Sequence, residues 1–257
     1  MSATMPDGLM TLARIAVKAG RVVMRHYEAG AEARIKHDHS PVTDADEEAE
    51  ALILAELDSA FPGVPVIAEE EAARGRIAGV GARFFLVDPL DGTKEFLKRN
   101  GEFTVNIGEI ADEQPVAGVV YAPALGRLFA GAAGHGAFEA DAGLAHIRPI
   151  SARTRPDDGL VVVASRSHRN VQTDTFLSSM KVREFRTAGS SLKFCLLAAG
   201  EADLYPRTGP TMEWDTAAGH AVLRAAGGEV TNWDGSPFLY GKHGFANPGF
   251  VARGRDG

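Results

Sequence analysis

Residues 84–93 have the sequence Phe-Phe-Leu-Val-Asp-Pro-Leu-Asp-Gly-Thr. The apolar run at the start predicts a buried strand, and this places Asp88 at the strand's end, where open α/β sheets usually bind their ligands. Pro89 has no N–H to donate to a sheet and therefore predicts a turn. We expect the turn to bring Asp91 back beside Asp88, so this segment predicts two neighbouring carboxylates at one edge of a sheet.

The residues around these two carboxylates suit the binding of a metal and a phosphate. Two buried carboxylates that lie close together cannot both stay ionised without a cation. Gly92 leaves room for a phosphate to approach the backbone, Thr93 adds a hydroxyl, and the free N–H groups of such a turn attract anions. Oxygen ligands for Mg²⁺ beside N–H groups for phosphate indicate metal-assisted phosphoryl chemistry. An ordinary Asp-Pro turn closed by an Asx hydrogen bond is the alternative that these residues alone leave open.

Three further acids are predicted at the ends of strands or helices. Glu69 follows a short apolar strand, as Asp88 does, so the two carboxylates are expected to converge if those strands are neighbours. Asp46 lies three residues after Thr43, a spacing that resembles a capping box at the start of a helix. Asp215 opens a later helix, where its charge meets the positive end of the helix dipole. Each acid alone is explained as a cap or an exposed edge, and only the combination indicates a site.

Composition narrows the classes of partner and compartment. A net charge of −7 over 257 residues argues against a nucleic-acid polymer, while a small anionic substrate remains compatible if metal ions offset the charge. The single Cys195 excludes an internal disulfide, fits a reducing compartment and is predicted to pack within a helix. The N-terminus lacks a signal-peptide pattern, and no apolar stretch approaches the ~20 residues of a membrane span. We expect a cytoplasmic protein, with a peripheral position at the inner face of the cell membrane left open.

The order of the predicted elements indicates an α/β (α+β) chain of two lobes. An amphipathic helix is predicted over residues 7–27, and a strand meander over residues 103–132. A composition shift near residues 149–159 marks the best boundary. The N-terminal α+β lobe, residues 1–150, then carries most of the predicted ligands, and the C-terminal α/β lobe, residues 151–257, carries the last one.

With these residues assembled, the chain resembles the inositol monophosphatase-like phosphatases, a family that depends on Mg²⁺ and is sensitive to lithium. The Asp-Pro-Leu-Asp-Gly-Thr segment at residues 88–93 and the Trp-Asp segment at residues 214–215 match the family's two signatures. Residues 88–106, 189–195 and 204–207 are similar to its CysQ-type 3′(2′),5′-bisphosphate nucleotidase branch. The resemblance covers nearly the whole chain and implies a layered α-β-α-β-α, sugar-phosphatase-like fold.

The resemblance also implies roles for individual residues. The metal ligands, for two Mg²⁺ ions with a third left open, would be Glu69, Asp88, Asp91, Asp215 and the carbonyl of Leu90. Asp46 and Thr93 would orient the attacking water, which Glu69 would help to activate through the metal. The backbone N–H groups of Gly92 and Thr93 would hold the scissile phosphate. Lys36 aligns loosely beside the site, whereas His37-Asp38-His39 are interpreted as exposed loop residues rather than a metal site.

Substrate selectivity is expected to depend on the segment before the Trp-Asp signature. Inositol-specific relatives carry an acid there, which suits a sugar hydroxyl, whereas the matching position here is Arg207, which can hold a second phosphate with two N–H groups. Ser190 is predicted to cap a helix that runs to Ala199. Further substrate contacts are expected from Ser190, Ser191, Lys193 and Asp215. A surface ion pair is the alternative explanation of Arg207.

The predicted reaction is the hydrolysis of adenosine 3′,5′-bisphosphate to AMP and phosphate, in sulfur assimilation or nucleotide recycling. An inositol monophosphatase or a fructose-1,6-bisphosphatase on the same fold is the nearest alternative, because a fold does not determine its substrate. A metal-binding regulator without turnover is the alternative from another class. The acids together with Thr93 argue against it, since a binding protein need not orient a water. A small molecule is the expected partner, and a homodimer is left open.

Overall fold

The computed structural model describes residues 4–30, 33–35, 41–164 and 171–255. The helices of these residues are α1 Asp7–Ala29, α2 Asp44–Ala60, α3 Glu69–Ala73, α4 Thr93–Leu97, α5 Val171–Ser178, α6 Leu192–Ala198 and α7 Glu213–Ala225. The strands are β1 Ala33–Ile35, β2 Pro41–Thr43, β3 Val66–Ala68, β4 Arg83–Asp91, β5 Thr104–Ala111, β6 Gln114–Ala122, β7 Arg127–Ala132, β8 Gly136–Asp141, β9 Arg148–Ile150, β10 Leu160–Ala164, β11 Val182–Thr187, β12 Leu204–Arg207, β13 Thr211–Met212, β14 Glu229–Asn232, β15 Ala246–Asn247 and β16 Phe250–Arg253.

Most strands belong to two large sheets. The seven-stranded sheet has the order β3-β4-β5-β6-β7-β8-β9, and its β3–β4 pair is parallel while the pairs from β4 to β9 are antiparallel. The five-stranded sheet has the order β11-β10-β12-β16-β14. The first sheet ends at Ile150 and the second begins at Leu160. One apolar cluster contains residues of both sheets, so the two sheets share a core. The division of the chain into two lobes at residue 150 stays a prediction.

Three apolar clusters stack the elements in layers. The first lies between α1, α2 and one face of the seven-stranded sheet, and Ile53 is one of its fully buried residues. The second fills the space between the other face of that sheet, α6, α7 and the five-stranded sheet, with Leu86 and Phe194 among its residues. The third joins the far face of the five-stranded sheet to Leu177 of α5. The order helix, sheet, helix, sheet, helix confirms the predicted α-β-α-β-α fold.

The first two helices confirm the sequence prediction, and one strand corrects it. Thr43 and Asp46 form the predicted capping box: Thr43 Oγ1 accepts from the N–H of Ala45 at 3.2 Å, and Asp46 Oδ2 accepts from the N–H of Thr43 at 2.7 Å. Strand β4 is longer than predicted, since it continues to Asp91. Its pairing with β5 is nevertheless interrupted between Asp88 and Asp91, where Pro89 cannot donate to the ladder.

Helix α7 packs on the seven-stranded sheet at unusually close range. Three glycines lie opposite one another on neighbouring strands, Gly108 on β5, Gly118 on β6 and Gly131 on β7, and we call them the glycine ladder. A Cβ atom on Gly118 would lie 2.5 Å from the carbonyl oxygen of Ala218 in α7. A Cβ on either other glycine would lie within 2.8 Å of α7 atoms. The helix therefore rests on strand backbone, which only glycine permits.

Helix α6 covers the opposite side of α7. A Cβ on Gly219 of α7 would lie 2.6 Å from the ring of Phe194, so this contact is also close. Cys195 follows Phe194 in α6, is fully buried and has its thiol pKa raised by burial, which confirms the predicted packed position. Among the described residues, none of the helices combines the length and the apolar character that a membrane crossing requires.

The glycine ladder predicts that a single methyl group will disturb the fold. Gly118→Ala should lower the free energy of unfolding by about 1–3 kcal/mol, because the added carbon overlaps the backbone of α7. Urea unfolding followed by circular dichroism measures this. Gly79→Ala is the control, since its Cβ would meet nothing within 4 Å, and it should stay within about 0.5 kcal/mol of the parent. Equal stability of the two variants would show that α7 does not need the glycine.

Candidate active site

The predicted convergence of acids at strand ends begins with a parallel pair of strands. Strand β3 pairs with β4 so that Ala68 lies opposite Val87. An acid follows each of these two residues, Glu69 at the start of α3 and Asp88 within β4, so the two lie side by side at this edge of the sheet, as predicted. Asp88 is buried and Glu69 is half-buried.

The third and fourth acids reach this edge from different directions. The predicted turn at Pro89 is wrong, because β4 continues to Asp91 and only a bulge interrupts its pairing between Asp88 and Asp91. Asp215 lies in the first turn of α7, and its Oδ2 accepts from the N–H of Met212 at 2.8 Å, as a capping box requires. The position of Asp215 follows from the seating of α7 on the glycine ladder, which directs the start of this helix to the end of β4.

The four carboxylates influence one another electrostatically. Burial raises the pKa of the Asp88 carboxyl well above its usual value. Further increases come from three neighbouring negative charges: Glu69, Asp91 and Asp215. Burial also raises the pKa of Asp91 and of Asp215, and the charge of Asp91 adds to the effect on Asp215. Without a cation, the three aspartates therefore hold protons more tightly than isolated carboxyls do.

The oxygen atoms of these acids fit a hard cation. Each of three aspartates has one oxygen bound to protein: Asp88 Oδ1 to the N–H of Leu90, Asp91 Oδ2 to Ser191, and Asp215 Oδ2 to the N–H of Met212. In the described part of the chain, no hydrogen bond reaches the second oxygen of any of them. The described residues contain no ready-made cage of three or more His, Cys, Asp or Glu side chains. The donor set, which is carboxylate oxygens with unused lone pairs, is nevertheless the one that Mg²⁺ prefers.

Ser191 joins Asp91 to the start of α7. Its N–H donates to Asp91 Oδ2 at 2.7 Å, and its hydroxyl lies 3.1 Å from the same oxygen. The hydroxyl also donates to the carbonyl of Asp215 at 2.6 Å. Ser191 is buried, and its hydrogen bonds link two of the proposed metal ligands. A substrate contact by Ser191 stays a prediction.

Ser190 is not the helix cap that the sequence suggested. The residue before α6 is Ser191, and it makes no side-chain cap bond. Ser190 adopts a left-handed backbone conformation with φ of 52°, and its hydroxyl lies 2.7 Å from the carbonyl oxygen of Asp91 and 2.9 Å from that of Glu102. A Cβ on Gly92 would lie 2.3 Å from this hydroxyl, and Gly92 itself has φ of +92°, so glycine is required there twice over.

Asn106 is a site residue that the sequence analysis missed. It lies opposite Asp88 on β5, is fully buried and donates from Nδ2 to Ser191 Oγ at 3.0 Å and to Asp91 Oδ2 at 3.4 Å. Its Oδ1 and the hydroxyl of Thr104, two residues earlier, are buried without a partner among the described residues. The sequence did contain an indication of this role, because Thr104 and Asn106 place two polar side chains on one face of a buried strand.

Asp46 and Thr93 meet, as the sequence predicted for the residues that orient water. Thr93 Oγ1 lies 3.3 Å from Asp46 Oδ1 and 3.3 Å from the carbonyl oxygen of Leu90. Asp46 is held in turn by Thr43, whose hydroxyl lies 2.6 Å from Asp46 Oδ2. The N–H groups of Gly92 and Thr93 donate to no other described group. They are therefore available to an anion.

A cleft of two adjoining cavities lies over these residues. Their volumes are about 520 Å³ and about 240 Å³, and both are lined by Asp91, Gly92, Lys94, Glu95, Thr211 and Asp215. The larger cavity adds Glu69 and Thr93, and the smaller one adds Lys193 and Arg207. We call the larger cavity the acidic half, because Glu69 joins the shared acids there, and the smaller cavity the basic half, because Lys193 and Arg207 are added there. Asp91, Glu95 and Asp215 line both halves.

The two cations that line only the basic half contact backbone carbonyls. Lys193 is buried, and its ammonium donates to the carbonyls of Ser190 at 2.6 Å and Ala188 at 3.2 Å. Burial lowers its pKa to about 8, against an opposing effect of Asp91. Arg207 lies 3.3–3.4 Å from the carbonyl oxygens of Gly209 and Pro210, and no carboxylate of the described residues forms an ion pair with it. The surface ion pair considered for Arg207 is therefore not found there.

Lys36 and the His37-Asp38-His39 triplet lie outside the described residues.

Comparison with known proteins places this geometry in a family. The model of the inositol monophosphatase family matches residues 8–253. A protein of Escherichia coli K12 named 3′(2′),5′-bisphosphate nucleotidase CysQ is 44% identical over 250 residues, which are 96% of this chain and 98% of that protein. The crystal structure of CysQ from Bacteroides thetaiotaomicron has a TM-score of 0.80 at 36% identity, covering 96% of this chain and 97% of that one. A Thermotoga maritima IMPase has a TM-score of 0.79 at 26% identity, covering 96% and 92%. This chain belongs to the inositol monophosphatase family.

Proposed function

We propose that the protein is a Mg²⁺-dependent phosphatase that removes the 3′-phosphate of adenosine 3′,5′-bisphosphate and releases AMP. The observation that supports this most directly is the divided cleft. Glu69 lines only the larger cavity, Lys193 and Arg207 line only the smaller one, and this arrangement suits a substrate with two phosphates. Asp91 and Asp215 line both cavities. Relatives about 44% identical over nearly the whole chain are named 3′(2′),5′-bisphosphate nucleotidases. Sulfur assimilation or nucleotide recycling, a cytoplasmic location and lithium sensitivity stay predictions.

The acidic half would hold the metal. The proposed ligands are the free carboxylate oxygens of Asp88, Asp91 and Asp215, together with Glu69 and the carbonyl of Leu90. Metal dependence is typical of this family, and the number of ions, two or three, is part of the proposal. When bound, magnesium lowers the pKa of a water nucleophile and stabilises negative charge on the leaving oxygen.

The protein's own groups would align the reactants. The hydroxyl of Thr93 donates a hydrogen bond to Asp46, so its oxygen can accept a hydrogen bond from the attacking water and orient a lone pair of that water toward phosphorus. The N–H groups of Gly92 and Thr93 would hold the oxygens of the scissile phosphate. Lys193 and Arg207 would hold the second phosphate, which is remote from the reacting bond.

The metal assignment predicts opposite effects on activity and on stability. Asp91→Asn and Asp215→Asn should each remove most of the activity. In the metal-free protein, each should raise the free energy of unfolding, because the neutral amide replaces a carboxylate whose pKa is raised by burial. A carboxyl whose pKa is raised on folding destabilises the folded state above its unfolded pKa, so this gain should shrink as the pH falls toward 4.

Chemical unfolding in EDTA at several pH values measures this gain. Asp58→Asn, an exposed acid on α2, is the matched control and should change neither quantity. Normal turnover of both site variants at saturating Mg²⁺ would contradict the assignment of ligands.

A panel of substrates tests the proposed reaction. Phosphate release should be fastest with adenosine 3′,5′-bisphosphate, compared with phosphoadenylyl sulfate, inositol 1-phosphate and fructose 1,6-bisphosphate, and should require Mg²⁺. Preference for inositol 1-phosphate or fructose 1,6-bisphosphate would favour the sugar-phosphatase alternatives. No release from any substrate by folded, Mg²⁺-loaded protein would favour the non-catalytic regulator.

The basic half of the cleft predicts a selective effect of Arg207. Arg207→Glu should lower kcat/KM for adenosine 3′,5′-bisphosphate by tens- to hundreds-fold, because a charge reversal beside a bound phosphate costs a few kcal/mol. Activity on inositol 1-phosphate should fall much less, since that substrate has no second phosphate. Arg14→Glu, on α1 outside the cleft, is the control. Equal losses on the two substrates would leave Arg207 without a part in selectivity.

A further inference from the structure

Helix α3, which begins with Glu69, lacks a capping side chain of its own. The first N–H groups of a helix have no partner within the helix and are usually satisfied by the residue just before it. That residue is Ala68, which has no polar side chain and makes no cap bond. Another part of the chain must therefore supply the acceptor.

Glu50 of α2 supplies it. Its Oε2 accepts from the N–H of Glu70 at 2.7 Å, and its Oε1 accepts from the N–H of Glu71 at 2.9 Å. Glu50 is only 2% exposed, so water does not compete for these bonds. Both carboxylate oxygens are bound to backbone, so Glu50 holds the start of α3 and is not placed as a metal ligand itself.

The same helix also holds the water-orienting pair. Asp46 lies one turn before Glu50 on α2, about 6 Å along the helix axis, and contacts Thr93 at the end of the Asp-Pro-Leu-Asp-Gly-Thr segment. One face of α2 thus bonds to two segments that meet at the candidate active site. The start of α3, with Glu69, and the segment that carries Asp91 are therefore held in register by a single rigid element.

We propose that Glu50 is a positioning residue for Glu69: it fixes the start of α3 so that the Glu69 carboxylate faces the other three acids. This inference rests on the proposed function, in which Glu69 is a metal ligand. Residues that orient a ligand without touching the metal typically change metal affinity by 10- to 100-fold when they are replaced.

Glu50→Gln tests the proposal. The amide keeps the size of the side chain but has one acceptor, and its NH₂ group would face an N–H donor. The affinity for Mg²⁺, measured by calorimetry without substrate, should fall about 10-fold or more. The value of kcat at saturating Mg²⁺ should change by less than about 3-fold, because Glu50 touches no reactant. Glu56→Gln is the control on the same helix, since Glu56 forms an ion pair with the exposed Lys18, and it should bind Mg²⁺ normally.

A second variant separates position from charge. Ala68→Ser in the Glu50→Gln background places a capping hydroxyl directly before α3 and adds no charge. Recovery of Mg²⁺ affinity supports positioning. Weak binding by a folded double variant would show that the charge of Glu50 matters instead, and would overturn the proposal.

Two further measurements complete the test. Hydrogen exchange of the parent protein without metal should show protected N–H groups at Glu70 and Glu71, and rapid exchange of both would overturn the proposal even if the variants fail to fold. If Glu50→Gln does not weaken Mg²⁺ binding, Glu69→Gln shows whether the metal assignment or only the role of Glu50 is wrong. If Glu69→Gln leaves Mg²⁺ affinity unchanged, the metal assignment fails and the inference fails with it. If Glu69→Gln weakens Mg²⁺ binding and Glu50→Gln does not, only the inference fails.

Discussion

Helix α7 lies directly on the backbone of three strands, and the spacing of both sheets follows from that contact. The glycine ladder, Gly108, Gly118 and Gly131, removes the side chains that normally separate a helix from a sheet. On its other side, α7 contacts α6 through Gly219. Because an α-helix is stiff over its 13 residues, contacts near its middle and its end determine where its first turn lies. The carboxylate of Asp215 is thereby placed beside the ends of β3 and β4, which lie more than 100 residues earlier in the sequence.

The acids gathered at these strand ends lower the stability of the metal-free fold. Burial and mutual repulsion raise the pKa values of Asp88, Asp91 and Asp215. Hydrogen bonds from Leu90, Ser191 and Met212 offset part of this cost, yet within the described residues each aspartate keeps one oxygen without a hydrogen bond. A bound cation would remove the repulsion, so metal binding and folding stability are expected to be coupled. The arrangement is more easily explained by chemistry at the site than by stability.

The parts of the structure that depend on local patterns could be predicted from the sequence. The capping box at Thr43 and Asp46, the strand that ends at Glu69 and the interruption at Pro89 each involve residues a few positions apart, where spacing alone indicates geometry. The parallel pairing of β3 and β4 brought Glu69 and Asp88 together as expected. The layer order followed from the family resemblance.

The contacts that could not be predicted join residues far apart in the chain. Ser191 bonds to Asp91 across 100 positions, and Asn106 bonds to Ser191 across 85. Ser190 was expected to cap α6, but its backbone is left-handed and its hydroxyl faces the carbonyl of Asp91. No periodicity or local spacing indicates which hydroxyl will reach which carboxylate, because that choice depends on how the helices seat on the sheets.

Because Cys195 is buried, its thiol can report when the layer of α6 and α7 separates from the sheets. It is the only cysteine of the chain, and it lies in α6 between the two sheets with no exposed surface. A thiol reagent can reach it only when the middle layer separates from a sheet. The rate of modification would therefore follow the opening of the layer that carries Asp215, without any engineered label. Slower modification in the presence of Mg²⁺ would reveal how strongly the metal closes that layer.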